Sequence, residues 1–168
     1  RIEDGGGPNA YELLTDGASE IKAGSEGLFF LPYLSGERTP HPDPYAKGCF
    51  IGMSLRHTKK HLTRSVLEGV SYGLNDSLSL MKGLGINPNE TILTGGGAQS
   101  VLWKQMLADI FSTECSLVNA VEGAAYGAAI LASVGVGRYS SVPEACNSWI
   151  QKTESIKPGP EQDIYRKY

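Results

Sequence analysis

Apolar residues recur at helical spacing along several stretches of the chain. The strongest pattern runs from about Lys59 to Leu84, with apolar positions at Leu62, Val66, Leu67, Val70, Leu74, Leu78 and Met81. This spacing places the apolar side chains on one face and predicts a long central helix packed through that face. The same period predicts shorter helices at about 9–22, 100–113 and 122–132, and another that begins at Val142.

Continuous apolar or β-branched runs lie between these helices and predict strands. The runs are Gly27–Leu34, Lys47–Leu55, Thr91–Thr94 and Cys115–Val118. Pro32 restricts the first strand to its early half or to a sheet edge, because proline has no N–H to donate. In the second half of the chain strands and helices alternate, which predicts right-handed crossovers, a parallel sheet and an α/β fold.

Three glycines join the third strand to the next helix, in the segment Thr94-Gly-Gly-Gly-Ala-Gln-Ser100. Glycine has no Cβ, so a flat ligand can lie against the backbone, and the N–H groups that open the helix would face the same space. The segment fits neither the dinucleotide fingerprint, in which a glycine would replace Ser100, nor the Walker-type phosphate loop. It therefore indicates another kind of nucleotide-binding turn, with a plain turn as the alternative.

Composition narrows the candidate partners. Hydrophobic residues make up 40% and charged residues 20% of the 168, which is enough for a single globular domain over 1–168. A net charge of −3 gives no basis for binding nucleic acid or an anionic membrane. No apolar run approaches the roughly 20 residues of a membrane span. Small molecules or other proteins are the expected partners.

The cysteines indicate the cellular compartment of the protein, and the first residue indicates whether the chain is part of a longer one. Cys49, Cys115 and Cys146 are odd in number and far apart, so neither a disulfide framework nor a metal site is expected. We expect buried, reduced thiols in a cytoplasmic protein. The chain opens on Arg1 instead of methionine, and we interpret it as a piece of a longer protein.

Three ordered motifs resemble one enzyme family. The first is Gly27-Leu-Phe-Phe-Leu-Pro-Tyr-Leu-Ser-Gly-Glu-Arg-Thr-Pro-His41, followed by Asp43-Pro44 and Ala46-Lys47-Gly48. The second is Gly48-x-Phe50-x-Gly52-Met53 and, after seven residues, His61-Leu62-x-x-Ser65-Val66-Leu67-Glu68; the third is the triglycine segment. From about Asn9 to its end, the chain resembles the C-terminal domain of FGGY-family carbohydrate kinases of the xylulokinase type.

The resemblance implies a fold and a reaction. The fold would be a ribonuclease H-like and actin-like ATPase domain, the second of two around a cleft, here without its first strands. The reaction would transfer the γ-phosphoryl group of ATP, with Mg²⁺, to the 5-hydroxyl of D-xylulose. The family's general base is an aspartate of the N-terminal sugar-binding domain, which is absent here. We therefore expect no catalytic residue in this chain and no activity from it alone.

The resemblance also assigns partners and site residues. The adenosine-binding wall would consist of Gly95, Gly96, Gly97, Ala98 and Ser100, with Gly96 and Gly97 against the adenine or the ribose. Relatives such as glycerol kinase carry an asparagine about where Ser100 stands, so simple capping of the next helix is the favoured role for Ser100. ATP, a pentulose and the protein's own N-terminal domain would be the partners, and an open sheet edge could also pair two copies into a homodimer.

Residues outside the turn have competing roles. Glu37 and Arg38 lie in a proline-rich loop that could border the cleft, where Arg38 would stabilise charge during phosphoryl transfer. A local ion pair between them is the favoured alternative. Further expectations are an exposed His41, a turn started by Asp43, a buried and hydrogen-bonded Glu68, close packing at Gly123 and Gly127, and packing roles for Tyr72, Trp103 and Tyr126.

Two other functions stay open at this point. Another FGGY kinase would act on glycerol, gluconate, ribulose or rhamnulose, since the sugar would bind mainly to the missing domain. A non-catalytic, actin-like module would bind nucleotide or assemble with other copies without sugar chemistry.

Overall fold

The computed structural model describes residues 9–120 and 122–168. Both helices and strands occur along this part of the chain, and they alternate between residues 59 and 135. In order they are α1 Ala10–Ser19, β1 Phe29–Leu31, β2 Cys49–Ile51, α2 Lys59–Gly83, β3 Glu90–Leu93, α3 Val101–Phe111, β4 Glu114–Val118, α4 Gly123–Gly135, α5 Val142–Trp149, β5 Lys152–Ile156 and α6 Gln162–Tyr165. The predicted α/β alternation is confirmed, and both β1 and β2 are shorter than the apolar runs that predicted them.

The strands form two sheets. β1 and β2 pair antiparallel, with Phe29 opposite Ile51. The second sheet has the order β3-β4-β5, in which β3 and β4 are parallel, as predicted, and β5 runs antiparallel to β4. β5 was not predicted from the sequence. Its residues are almost all exposed and mainly polar, so no apolar pattern marks it.

The core surrounds α3 instead of α2. Met106, Leu107, Ala108, Ile110 and Phe111 are all buried and cluster with Cys115 of β4, Ile156 of β5 and Tyr165 of α6. Burial, and then the nearby Asp109 carboxylate, raise the pKa of the Cys115 thiol to about 11. The expectation of buried thiols is wrong for Cys49, which is exposed, and holds in full only for Cys115; all three thiols are free.

The most buried residues of helix α2 are polar, and the predicted apolar face is only partly buried, with Leu67 and Leu78 packed against the core. Arg64 is 1% exposed and Glu68 4%, whereas Leu74 of the apolar stripe is 51% exposed. The buried face lies so close to β1 that a Cβ on Gly69 would stand 2.1 Å from the carbonyl oxygen of Phe30. No side chain fits at position 69, so the periodicity of large apolar residues points to a different face.

A buried ionic network joins three distant segments on this polar face. The Arg64 guanidinium donates to Glu68 at 2.9 Å, to Glu161 at 2.8 Å and to the Tyr165 hydroxyl at 2.7 Å. Glu68 also accepts from the N–H of Gly24 at 2.9 Å, which confirms that it is buried and hydrogen-bonded. Burial, and then the charge of Glu68, raise the pKa of Tyr165, so its hydroxyl stays protonated.

Within residues 9–120 and 122–168, no helix combines the length and the apolar character that crossing a membrane requires.

Candidate nucleotide-binding site

The absence of a side chain has a different structural consequence at each glycine of the triglycine turn. Gly95 adopts φ +86° and ψ −177°, a backbone conformation that is nearly restricted to glycine, and it turns the chain from β3 into one 3-10 turn over Gly96–Gln99. A Cβ on Gly96 would meet no atom within 4 Å, so this position leaves open space. A Cβ on Gly97 would stand 2.5 Å from the ring of Trp103. The missing side chain of Gly97 thus makes room for a neighbouring aromatic ring.

Ser100 caps α3, as the capping interpretation predicted. Its hydroxyl oxygen accepts a hydrogen bond from the N–H of Trp103 at 3.3 Å. The N–H groups of Ala98 and Ser100 donate to the carbonyl oxygens of Gly95 and Gly97 at 3.2 and 3.3 Å. Because these donors are engaged, the predicted free donors for a ligand's phosphates are reduced at this turn.

Trp103 and Gly97 line two of the cavities that flank the turn. The cavity on the α1 side has a volume of about 520 Å³ and is lined by Asn9, Tyr11, Glu12, Thr15, Leu67, Gly96, Gly97, Gln99, Ser100 and Trp103. The cavity between α2 and β3 has a volume of about 490 Å³ and is lined mainly by apolar residues, among them Val70, Leu74, Leu78, Met81, Ile92 and Leu93. Four residues of the apolar stripe of α2 (Val70, Leu74, Leu78 and Met81) therefore line the second cavity.

The α1-side cavity has the chemistry that a nucleoside needs. Nucleoside pockets combine flat apolar walls with a few polar groups that fix orientation. The Glu12 carboxylate is engaged with the N–H of Asn9, and the Thr15 hydroxyl with backbone carbonyls. Tyr11 is 81% exposed, and neither its hydroxyl nor the Gln99 amide has a hydrogen-bond partner among the described residues. These two side chains are the polar groups available to a ligand.

Helix α4 approaches the turn at one of its two predicted glycines. A Cβ on Gly123 would stand 3.0 Å from the hydroxyl oxygen of Thr94, directly before the turn. A Cβ on Gly127 would meet nothing within 4 Å, so the predicted close packing is wrong for this residue.

The proline-rich loop at 35–44 is ordered locally and lines neither cavity. The Glu37 carboxylate accepts from the N–H groups of Arg38 at 2.6 Å and Thr39 at 3.0 Å. The N–H of Thr39, and then that of Arg38, lower the pKa of Glu37. The predicted Glu37–Arg38 ion pair is wrong, because the carboxylate binds the backbone and the Arg38 side chain is exposed. The structure does not bring these two residues to the glycine turn.

Other predicted roles are confirmed. The Asp43 carboxylate starts a turn by accepting from the N–H of Tyr45 at 2.8 Å, and His41 is exposed. The Tyr72 and Tyr126 hydroxyls donate to backbone carbonyls of Tyr165 and Trp149 at 3.3 and 2.7 Å, as expected of packing residues. Sequence reasoning did not assign Gln99 to the site, although it lies within the triglycine segment, and it also missed Tyr11. The only signal for Tyr11 is an exposed aromatic residue on the outer face of an amphipathic helix.

Among the residues that the structure describes, no group of three or more His, Cys, Asp or Glu side chains is arranged to hold a metal ion. The donor set at the turn is made of amides, hydroxyls and one engaged carboxylate, which is a poor match to the oxygen-rich sites of Mg²⁺. We therefore assign no magnesium ligand to this part of the chain.

Comparison with known proteins gives a consistent result. Residues 4–136 match the model of the FGGY family of carbohydrate kinases, C-terminal domain. The xylulose kinase of Staphylococcus epidermidis is 40% identical over 160 residues, which cover 95% of this chain and 32% of that protein. The gluconokinase of Bacillus subtilis is 36% identical over 163 residues, which cover 96% of this chain and 31% of that protein.

A solved structure agrees with these matches. The crystal structure of ligand-bound xylulose kinase from Lactobacillus acidophilus has a TM-score of 0.82 and 31% sequence identity to this chain. The match covers 92% of this chain and 31% of that one. The chain thus spans about a third of the length of the relatives that it matches.

Proposed function

We propose that this chain, which belongs to the FGGY family of carbohydrate kinases, supplies the nucleotide-binding wall of a kinase that phosphorylates D-xylulose. Members of the family transfer a phosphoryl group to a carbohydrate, with ATP as the co-substrate. Xylulose kinases are prominent among the relatives, at about 40% identity over nearly the whole chain. In the proposal, the product is xylulose 5-phosphate and the protein works in the cytoplasm.

The observation that carries the proposal is the glycine turn beside the α1-side cavity. Gly95 supplies a backbone turn that other residues would strain, and Gly96 keeps the wall open for a flat group. Gly97 and Ser100 complete the wall, with Ser100 contributing through the helix that it caps, whereas Ala98 lines the cavity between α2 and β3. We assign the adenine and the ribose to this cavity, next to Tyr11 and Gln99.

The role of this chain in the reaction is binding and alignment. Phosphoryl transfer depends mainly on positioning and on neutralising charge, so a wall that fixes the nucleoside helps to place the γ-phosphoryl group. Mg²⁺ would neutralise charge on the ATP phosphates when it is bound. The general base and the sugar-binding groups belong, in this proposal, to an N-terminal domain of the full-length protein.

Phosphorylation of a panel of sugars by the full-length protein tests the substrate. With ATP and Mg²⁺, we expect the highest kcat/KM for D-xylulose, with glycerol, ribulose and rhamnulose at least tenfold lower. Coupled detection of ADP measures all of them under the same conditions. A higher kcat/KM for any other sugar would remove the xylulose assignment and leave the family membership intact.

Gluconate is the second candidate substrate. It is favoured by a gluconokinase that is 36% identical over 96% of this chain. This domain is similar to both kinds of kinase, and in the proposal the two kinds share the nucleotide wall and the sugar choice lies elsewhere in the protein.

Calorimetric titration of this chain with ADP tests the nucleotide wall itself. We expect binding in the millimolar range or tighter, and a loss of at least about tenfold in Gly95→Ala, since alanine strains the turn. Gly137→Ala is the matched control, because Gly137 also has a positive φ of 76° and open space around it, but lies away from both cavities. Equal losses in the two variants would mean that the turn at Gly95 has no part in binding. Binding by a full-length protein that phosphorylates no sugar would favour the non-catalytic, actin-like module.

A further inference from the structure

Trp103 stands where the glycine turn, helix α2 and both cavities meet. Its ring occupies the space that a side chain on Gly97 would need, since a Cβ added there would stand 2.5 Å from the ring. The ring is half-buried and packs against the edge of the core around α3. The ring therefore packs against Gly97 and supports the turn. It also lies between the α1-side cavity and the cavity between α2 and β3.

Both ends of the Trp103 residue are held. The indole N–H donates to the Ser71 hydroxyl at 3.0 Å, and that hydroxyl donates in turn to the carbonyl of Leu67 at 2.8 Å. Ser71 is fully buried in α2, so the acceptor has a fixed place. The backbone N–H of Trp103 is bound to Ser100. Because the backbone and the indole N–H of Trp103 are both fixed, the ring has one orientation. The position of the Gly96–Gly97 backbone depends on that orientation.

We infer that Trp103 is a positioning residue for the nucleotide: through Gly97 it sets the wall against which the nucleoside lies, and through Ser71 it ties that wall to α2. This inference rests on the proposed function, because it concerns the same cavity. A smaller side chain would leave the space beneath Gly97 empty, and the turn could then settle toward α2. The nucleoside would lose its wall, while groups outside this cavity would keep their places.

The kinetic consequence differs from that of a packing residue. A wall that contacts the nucleoside equally in the ground state and in the transition state affects KM for ATP and leaves kcat unchanged. A residue that only packs the core would lower the melting temperature and change all kinetic parameters in parallel, or none of them. A change in KM for ATP that exceeds the change in kcat therefore distinguishes a positioning residue from a packing residue.

The test compares four variants of the full-length protein. We expect Trp103→Leu to raise KM for ATP by about tenfold, with kcat and KM for the sugar within about twofold of their original values. Trp103→Phe keeps the ring and loses the hydrogen bond, and Ser71→Ala removes its acceptor; each should raise KM for ATP by about threefold. Trp149→Phe is the matched control, because Trp149 also donates its indole N–H, to Tyr139 at 2.9 Å, and lines neither cavity.

Two results would overturn the inference. One is an unchanged KM for ATP in Trp103→Leu, and the other is a parallel change of kcat, both KM values and melting temperature. The ADP dissociation constant is measured for the same variants by calorimetry. If the full-length protein phosphorylates no sugar, the proposed kinase function fails, and the ADP affinity of Trp103→Leu against Trp149→Phe still decides the role of Trp103.

Discussion

Replacing Arg64 by methionine is expected to lower the free energy of unfolding of this chain by about 3–5 kcal/mol, because it leaves the buried carboxylate of Glu68 without its cation. Methionine fills a similar volume and offers no donor to Glu68, Glu161 or Tyr165, each of which is within 2.9 Å of the guanidinium. Domains of this size are stable by about 5–15 kcal/mol, so the loss is a large fraction of the total. Urea unfolding followed by circular dichroism measures it as a shift of the midpoint of about 2 M.

Arg166→Met is the control for this change. Arg166 pairs with Asp163 at 3.4 Å, and both side chains are mostly exposed, so their pair should contribute less than about 1 kcal/mol. If Arg64→Met shifted the midpoint no more than Arg166→Met, the buried network would have no net role in stability.

Gly69→Ala is expected to destabilise the chain by about 2–3 kcal/mol, a large effect for a single added methyl group. The new Cβ would stand 2.1 Å from the backbone carbonyl oxygen of Phe30, so α2 and β1 must move apart. The same change at Gly73, one helical turn later, meets only the Pro32 ring at 3.5 Å, an ordinary contact. Gly73→Ala should therefore stabilise the chain by up to about 1 kcal/mol, since alanine is the better helix former.

Thermal and urea unfolding of both glycine variants give the comparison directly. Opposite signs are the expected outcome. A gain in stability in both variants would mean that α2 and β1 separate at little cost, and the close contact at Gly69 would lose its importance.

The α/β class could be predicted from the sequence because its signals are local, and the finer class was implied by the motifs that resemble the FGGY family. The ribonuclease H-like, actin-like class is confirmed by the family match and by the solved relatives. The helices were located because their apolar residues recur at helical spacing, and β3 and β4 because they are short apolar runs followed by helices. β5 has no such run, and its place in the sheet comes from pairing with β4, which the sequence does not display.

The face through which α2 packs could not be predicted, for a related reason. Periodicity finds large apolar residues, whereas the buried face depends on the absence of a side chain at Gly69 and on the charge of Arg64. That charge is neutralised both by Glu68 of the same helix and by the distant Glu161. Part of the stripe that periodicity identified lines the cavity between α2 and β3, and Leu67 and Leu78 pack against the core.

The sequence predicted which segment forms the candidate site, but not how its residues are arranged in space. The sequence pointed to 94–100 and favoured a cap at Ser100, which the structure confirms. It treated Gly96 and Gly97 alike, since both lack a side chain, and only the position of Trp103 separates them. Glu37 and Arg38 belong to a motif that resembles the family, but motif membership carries no information on distance to the turn.

The ionic network has a further consequence, for the order of events in folding. Arg64 reaches back to the carbonyl of Ile21, 43 residues away, and forward to Glu161, 97 residues away. Contacts between such distant residues form only after long loops have closed, so they belong to the late part of the folding route. The network should therefore act mainly as a barrier to unfolding: its loss would shorten the lifetime of the native state far more than it would slow the formation of that state.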